Sequence, residues 1–583
     1  MAFLVSPGVQ INETDLSNFI PALSTSIGGY AGYFNWGPAD TTVLVTDEGE
    51  LGRIYGTPSL DGDLTESSFF TAASFLKYSN ALQISRALPP DAYNANTSGS
   101  SSPEYLDQIS TLDHLEVSGN ADILYGRYPG AKANGLEVWF IDKKQYDALV
   151  NDQSQPEILN SLPFVPSITD WANEIVSDVS PAIYDEVHVV VVDALGKFSG
   201  EVGGILEIIP GLSYATNAKN EFGESNYFAK VVNDRSRYIW IGAITGATTI
   251  DPETTLFTTP YEGESTQMFT LSGGTLGDIT DQSGIVTALG LFEDAGTIDV
   301  NLLFAQNLLE DTTTLYQNSQ QQDIDQELIR IANERRDLVA FISAPMSIKN
   351  YSTNDEKLDA VLAKFEFVAS NNYIVFDSGP GYVYNRYRDG YTWIPLCGHI
   401  AGLCAYTDDV ADPWFSPAGL NRGNLSGLVK LGYNPNQAQR DELYKNRVNP
   451  VISYPGQGIV LYGDKTGQSK PSAFDRINVR RLFITIEKAI ANASKFQLFE
   501  LNDEFTRATF VNAVVPYLRD IQGRRGIIDF RVVCDETNNT AEVIDTNRFV
   551  ADIYIKPAKS INFIYLNFIA TRSGANFEEI IGR

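Results

Sequence analysis

The run INFIYLNFIA, residues 561–570 of 583, is the feature that most restricts how this chain can fold. Most of its apolar positions are β-branched or aromatic, and only the short tail TRSGANFEEIIGR follows it. A strand this apolar needs hydrogen-bonding neighbours on both edges; where its own domain cannot supply them, another subunit must. Two more strand candidates precede it, IIDFRVVC at 527–534 and RFVADIYI at 548–555. Further upstream, KPSAFDRINVRRLFITIEKAI reads as one long amphipathic helix. Val479, Leu482, Phe483, Ile486 and Ile490 recur at three- and four-residue spacings, with Asp475, Arg476, Arg480, Glu487 and Lys488 largely between them. A second helix is expected from an Asn502 N-cap, with Asp503 and Glu504 in its electropositive first turn and Gly523 as a left-handed stop. Pro516 should kink or split it.

A chain of 583 residues is too long for one hydrophobic core, so several domains are expected. Its 43% hydrophobic and 11% aromatic content can fill them. The net charge of −31 is unevenly spread. Residues 96–334 hold 10 basic and 36 acidic residues, a net of −26, whereas residues 470–583 hold 16 and 14, a net of +2. A balanced surface permits close packing of identical copies, while a strongly acidic region belongs in solvent. With no basic patch, nucleic acid is not an expected partner. No run approaches ~18 apolar residues and no basic-then-apolar leader opens the chain, so neither membrane span nor export signal is expected. Cys397, Cys404 and Cys534 cannot make a disulfide framework.

Taken in order, the chain opens with an extended arm over residues 1–23, where Val9, Ile11 and Glu13 share one face of a strand. Residues 24–95 read as a compact α/β piece whose Gly28, Gly29 and Gly32 lack the spacing of a phosphate or dinucleotide loop. Close backbone packing is expected there instead. The linker DAYNANTSGSSSPEY opens an insertion reaching to residue 334. Inside it, EVHVVVVD has the unbroken apolar texture of a buried strand of the parallel-sheet kind, with His188 as a satisfied core histidine. LFEDAGTIDVNLLFAQ holds a similar strand, and QDIDQELIRIANERRD is the helix leading back. Residues 335–469 complete the first α/β piece. The most enzyme-like cluster in the chain is Cys397 and His399 with Cys404, Asp408 and Asp409. A zinc site wants paired ligand clusters, and IPLCGHIAGLCAYT reads better as a small-residue helix packed on a sheet. No catalytic residue, cofactor or metal site is expected.

Several segments carry a family resemblance. PSAFDRINVRRLF, FELNDEFTR, FRVVCDETNNT and IYIKPAKSINFIYLNFIATRSGANFEE resemble the C-terminal domain of contractile tail sheath proteins, especially those of T4-like phages. DGYTWIPLCGHIAGLCAYTDDVADPWFSPAGLNRG, NPVISYPGQGIVLYGDKT and the opening VSPGVQINETD are similar to the same family. The resemblance implies a multidomain α+β or α/β protein. Its C-terminal core, at 470–560, would place long helices on a small mixed sheet completed by strands of neighbouring subunits, with inserted outer domains and an arm at 561–583. It further implies a structural subunit, not an enzyme, of the virion tail, made and assembled in the bacterial host cytoplasm. Its partners would be itself, as a helical homo-oligomer of stacked six-fold rings, the tail tube protein, and the baseplate and tail terminator proteins. Val9, Ile11, Glu13, Ile553, Ile564, Leu566 and Phe568 are expected at strand-exchange contacts. Arg480 and Arg481 are expected as exposed charges on an assembly surface of the long helix. Two other readings remain open: a cell-surface adhesin or depolymerase with an acidic ligand-binding insertion, and a self-assembling scaffold unrelated to tails.

Overall fold

The computed structural model describes residues 25–58, 64–99, 124–152, 155–175, 184–242, 268–307, 321–366 and 368–562. The described residues form two compact units, one within residues 25–410 and 417–475, the other from residues 411–416 and 476–562. The short piece 411–416, expected with the α/β domain, thus belongs to the C-terminal unit.

The larger unit is organised by a seven-stranded sheet. Its strands are β1 (Gly28–Tyr33), β2 (Thr42–Val45), β3 (Leu82–Ala87), β10 (Leu302–Ala305), β11 (Val339–Ile342), β12 (Ile374–Asp377) and β16 (Val448–Asn449), in the order β16-β12-β11-β10-β1-β3-β2. Every pair is parallel except β2 with β3. Alternation along the strands sends Ala31, Leu303, Ala340 and Phe376 into one apolar cluster with Ile285, Leu328, Ile331, Val361 and Phe365 from three helices. On Tyr30 and Phe304 lies the helix Leu64–Leu76, buried from Thr65 to Phe75. Gly28 has to be glycine for that packing, since a Cβ there would stand 2.6 Å from Phe75. The glycine-rich opening is therefore a packing device, as expected. β10 was expected inside the insertion. It instead pairs with β1 and β11 at the centre of this sheet, and the helix Gln321–Arg335 supplies core residues beside it. A short buried strand carries no mark of which sheet it joins.

The inserted region is an antiparallel structure. Strands β5 (Leu136–Asp142), β6 (Glu186–Asp193), β7 (Gly204–Ser213) and β9 (Met268–Thr270) pair in the order β7-β6-β5-β9, and β4 (Leu124–Gly126) pairs with β8 (Ile239–Ile241). The parallel-type expectation for β6 fails, because both its neighbours run antiparallel to it. The burial behind that expectation is real. Val187, Val189 and Val191 enter one apolar cluster, while Val190 and Val192 enter another with Trp139 and Ile141. An unbroken apolar run reports two covered faces and says nothing about strand direction. His188 is buried and satisfied as expected, with Nε2 3.0 Å from the Phe164 carbonyl and Nδ1 accepting from the Gly211 amide at 3.0 Å.

The insertion joins its host through a narrow neck. The backbones of Asn96 and Ser272 exchange two hydrogen bonds of 2.8 and 2.9 Å, and those of Tyr93 and Thr275 exchange two of 2.9 and 3.1 Å. Beside the neck, the buried Arg86 at the end of β3 donates to the carbonyls of Phe34, Gly37 and Pro129 at 3.1, 2.7 and 2.6 Å. The rest of the unit carries a three-stranded sheet, β14-β13-β15, of β13 (Gly381–Asn385), β14 (Gly390–Ile394) and β15 (Leu428–Leu431), and the hairpin of β17 (Val451–Tyr454) with β18 (Gly458–Leu461).

Candidate assembly domain and an aromatic cleft

In the C-terminal unit the first helix runs over Ile477–Ser494 and begins later than Lys470, where the helical stretch was expected to open. The second runs unbroken over Glu504–Gly523 with Pro516 inside it. Asp503, not Asn502, is its N-cap, accepting from the Thr506 amide at 2.8 Å. Asn502 instead donates to the Arg548 carbonyl at 2.7 Å. Gly523 ends within the helix, and the left-handed residue after it is Arg525 (φ 69°). Leu482, Ile486 and Ile490 pack with Phe510, Val514, Leu518 and Ile521 across the two helices. Trp414, from the short piece 411–416, completes this core. Its indole donates to the Arg524 carbonyl at 3.1 Å, the Arg524 guanidinium lies 5.0 Å from its ring, and Asp412 pairs with Arg524.

Against these helices lie β19 (Ile527–Val533) and β20 (Asp552–Pro557), an antiparallel pair in which Val532 faces Ile553. Each has one strand partner among the described residues. Phe530, Val532, Ile553 and Ile555 turn toward the apolar cluster, whereas Asp529, Arg531, Tyr554 and Lys556 are exposed. β20 starts four residues later than expected. Asn539 accounts for part of this, since its side chain accepts from the Val550 amide at 2.9 Å and donates to the Val550 carbonyl at 2.7 Å, standing where a strand neighbour would.

Ile553 lies in β20, within the stretch read as the resident strand, and turns toward the core of its own unit. Val9, Ile11, Glu13, Ile564, Leu566 and Phe568, and the strand candidate from residue 563 onward, lie outside the described residues. Arg480 and Arg481 are not exposed charges. They retain 3% and 4% of their accessible surface, and Arg480 reaches the Glu487 carboxylate at 3.0 Å. The helix is buried at every position from Ile477 to Leu482, so its first turns are not amphipathic, and counting apolar residues alone missed this.

The expected charge surface is absent there, but an apolar one exists nearby. In the turn joining the two helices Phe496, Leu498, Phe499 and Leu501 are exposed, as is Phe505 in the first turn of the second helix, each by 63% or more. Phe499 also has φ 70°, a conformation costing an L-residue roughly 1–2 kcal/mol. Five large apolar side chains in KFQLFELNDEF, where a turn should be polar, were the sequence signal for this surface.

The larger unit holds a cleft of about 220 Å³. Its wall is the outer face of β13 and β14, where Tyr382 lies 4.6 Å from Trp393 and 5.3 Å from Tyr391 between ring centroids. Its floor holds the fully buried Glu66, which receives Arg388 at 2.8 Å. Lys349 also lines it, and Lys430 of β15 stands 4.6 Å over the Tyr382 ring. The Cys397 and His399 cluster is elsewhere, in the helix Cys397–Val410, with Cys397, His399 and Cys404 all buried. Burial pushes the Cys397 thiol up to about 12. Burial, with Lys77 nearby, holds the His399 imidazole down at about 3, and its Nε2 lies 3.2 Å from the Ser426 carbonyl. That is core chemistry, as the small-residue helix reading expected. Among the described residues no group of three or more His, Cys, Asp or Glu is placed to hold a metal, and no helix is long and apolar enough to cross a membrane.

Residues 308–467 match the phage tail sheath protein central domain and residues 469–571 the phage tail sheath C-terminal domain. Along 99% of this chain, the tail sheath protein of Vibrio phage KVP40 is 34% identical, over 100% of its own length. This chain belongs to the phage tail sheath protein family. Tail sheath proteins of Enterobacteria phage T4 and Salmonella phage ViI are 32% and 31% identical, again over 99% of the chain and over 99% and 98% of their own lengths. The sheath fold extends to more distant proteins. A sheath tail protein from Listeria innocua superposes with a TM-score of 0.53 at 12% identity, covering 93% of both chains. One from Desulfitobacterium hafniense does so with a TM-score of 0.50 at 10% identity, covering 94% of this chain and all of the other.

Proposed function

We propose that this sheath subunit polymerises around the tail tube and holds its neighbours through shared β-structure while the lattice changes state. As a member of its family the chain is a structural subunit of a contractile tail sheath in the virion. In our reading copies stack as six-fold rings and contract once, driving the tube through the host envelope. The energy is stored in the assembled lattice, and the chain is not an enzyme. Baseplate, tail terminator and tube proteins are its other partners, and assembly takes place in the host cytoplasm.

The observation that carries the mechanism is the two-stranded sheet of β19 and β20. Such a pair is marginal alone, and each strand presents an edge without a strand neighbour among the described residues. Strands from other copies would complete it: the arm around Val9, Ile11 and Glu13, and the terminal run containing Ile564, Leu566 and Phe568. Each fully buried aliphatic side chain would contribute roughly 1.5–3 kcal/mol. Tethers of that kind let rigid units slide and repack without separating. Arg480 and Arg481, being buried, would act by shaping the helix that carries such a contact.

Electron microscopy of the purified chain is the test. The full chain should form long hollow tubes, and a chain lacking residues 1–15 should remain a soluble, folded monomer. Ordinary tubes from the shortened chain would rule out the strand-sharing mechanism.

A further inference from the structure

Among the described residues, the apolar side chains of the turn between the two C-terminal helices add nothing to the core of their own unit. Phe496, Leu498, Phe499, Leu501 and Phe505 are absent from that unit's apolar cluster and face solvent. An exposed apolar patch of this kind marks a contact surface. Its charges are biased: Lys495 stands against Glu500, Asp503 and Glu504, a net of −2.

The cleft on β13 and β14 has the opposite character. Its wall is aromatic, its lining includes Lys349 and Arg388, and Lys430 overhangs the Tyr382 ring. Arg388 and Glu66 pair with each other, so the further positive charge at the cleft is that of Lys349 and the neighbouring Lys430. An apolar knob with an acidic rim and an aromatic socket with a basic rim therefore occur on the same chain.

We propose that the turn at residues 495–505 of one copy seats in the aromatic cleft of a second copy. The contact rests on the reading that copies of this chain assemble with one another, and it names a surface by which they do so. Knob and socket are different patches, so the contact is heterologous; it need not close on itself and can repeat along a filament. A partner of another kind would have to bring its own basic-rimmed aromatic socket, whereas every copy of this chain already carries one. Apolar burial would hold the contact, and the charged rims would set its orientation.

Two single variants, Phe499→Cys and Tyr391→Cys, test this without disturbing either core. The native Cys397, Cys404 and Cys534 are buried, so background coupling is low. The two variants are mixed, assembled and oxidised. A disulfide dimer containing one copy of each should form, and should be missing from either variant alone and from the mixture below the assembly concentration. In parallel, a Leu498→Ser/Phe499→Ser chain should need at least tenfold more protein to assemble, with an unchanged unfolding midpoint. Glu500→Lys should also impair assembly, and adding Lys430→Glu should restore part of it. The proposal is overturned if wild-type chain assembles but the mixed dimer is missing, or if the double-serine chain assembles at the wild-type concentration. A wild-type chain that stays monomeric at every concentration would instead sink the self-assembly reading, and this contact with it.

Discussion

The seven-stranded sheet and the two-stranded sheet of this chain handle the same chemistry in opposite ways. In the larger sheet β10, β1, β11 and β12 each have neighbours on both edges, and the sheet carries helices packed on each side. In the C-terminal unit β19 and β20 have one neighbour apiece among the described residues, and five large apolar side chains in and just after the adjoining turn are exposed. In the first arrangement only the edge strands β2 and β16 have a single neighbour among the described residues. Among the described residues the second leaves strand edges and apolar surface uncovered, as suits a subunit that binds copies of itself. The closed centre of the large sheet and the strand sharing proposed for the small one thus make different demands, and substitutions should separate them.

The largest effect should come from Trp414→Ala. It empties the centre of the C-terminal core and should cost that unit about 3–5 kcal/mol. Calorimetry should show the C-terminal transition moving down while that of the larger unit stays, and a joint shift would mean the two melt as one. Arg86→Met comes next. It leaves the carbonyls of Phe34, Gly37 and Pro129 without their buried donor, a loss of about 3 kcal/mol confined to the larger unit. Denaturant melts should show it, and tube formation by the surviving folded protein should be normal.

A third test uses pH. Asp377, at the end of β12, is pushed up to about 6 by burial, against hydrogen bonds from Ser343 and the amides of Ala344 and Gly379 and the nearby Lys364 charge. A carboxyl raised in the folded state takes up its proton there while the unfolded chain has already lost it. Its contribution is therefore fully present below pH ~4 and lost as pH rises through about 6, on the order of 3 kcal/mol in all. Asp377→Asn should flatten that decline in melts recorded from pH 4 to 7. An unchanged slope would mean the decline arises elsewhere. The smallest effect is expected at Phe499→Gly. Relief of the left-handed conformation should leave the monomer unchanged or up to about 1 kcal/mol more stable, while assembly weakens. A destabilised monomer would show that the ring packs within its own unit.

Much of the fold could be read before the structure was known, where burial and local chemistry decide it. β19 follows from its β-branched and aromatic residues, and His188 and Cys397 lie in cores as their apolar surroundings implied. Direction and partnership were not legible. Nothing in EVHVVVVD separates an antiparallel strand covered on both faces from a parallel one, and nothing in NLLFAQ tells that β10 belongs beside β1. Arg480 and Arg481 illustrate a related limit, because charge alone suggested exposure on a helix whose first turns are wholly buried. Trp414 was missed because six residues give no local sign that they leave the unit on either side of them. For the candidate surface, the apolar turn at 495–505 was visible as a violation of turn chemistry, but a reading that looked for strands and arginines passed over it.

The neck of the insertion bears on how the chain is made. β1 pairs residue for residue with β10, Gly28 opposite Leu302, so 274 residues separate the partners. At about 5–20 residues per second of synthesis, the open edge of β1 waits roughly 15–50 s for its neighbour. The insertion is built largely from antiparallel pairings within itself, and its first and last residues are joined at Asn96 with Ser272 and Tyr93 with Thr275. Once that region folds, its emergence from the ribosome has already brought the flanking chain together. The search that β10 must then make is across a few dozen residues, not several hundred, which lowers the entropic barrier to closing the central sheet.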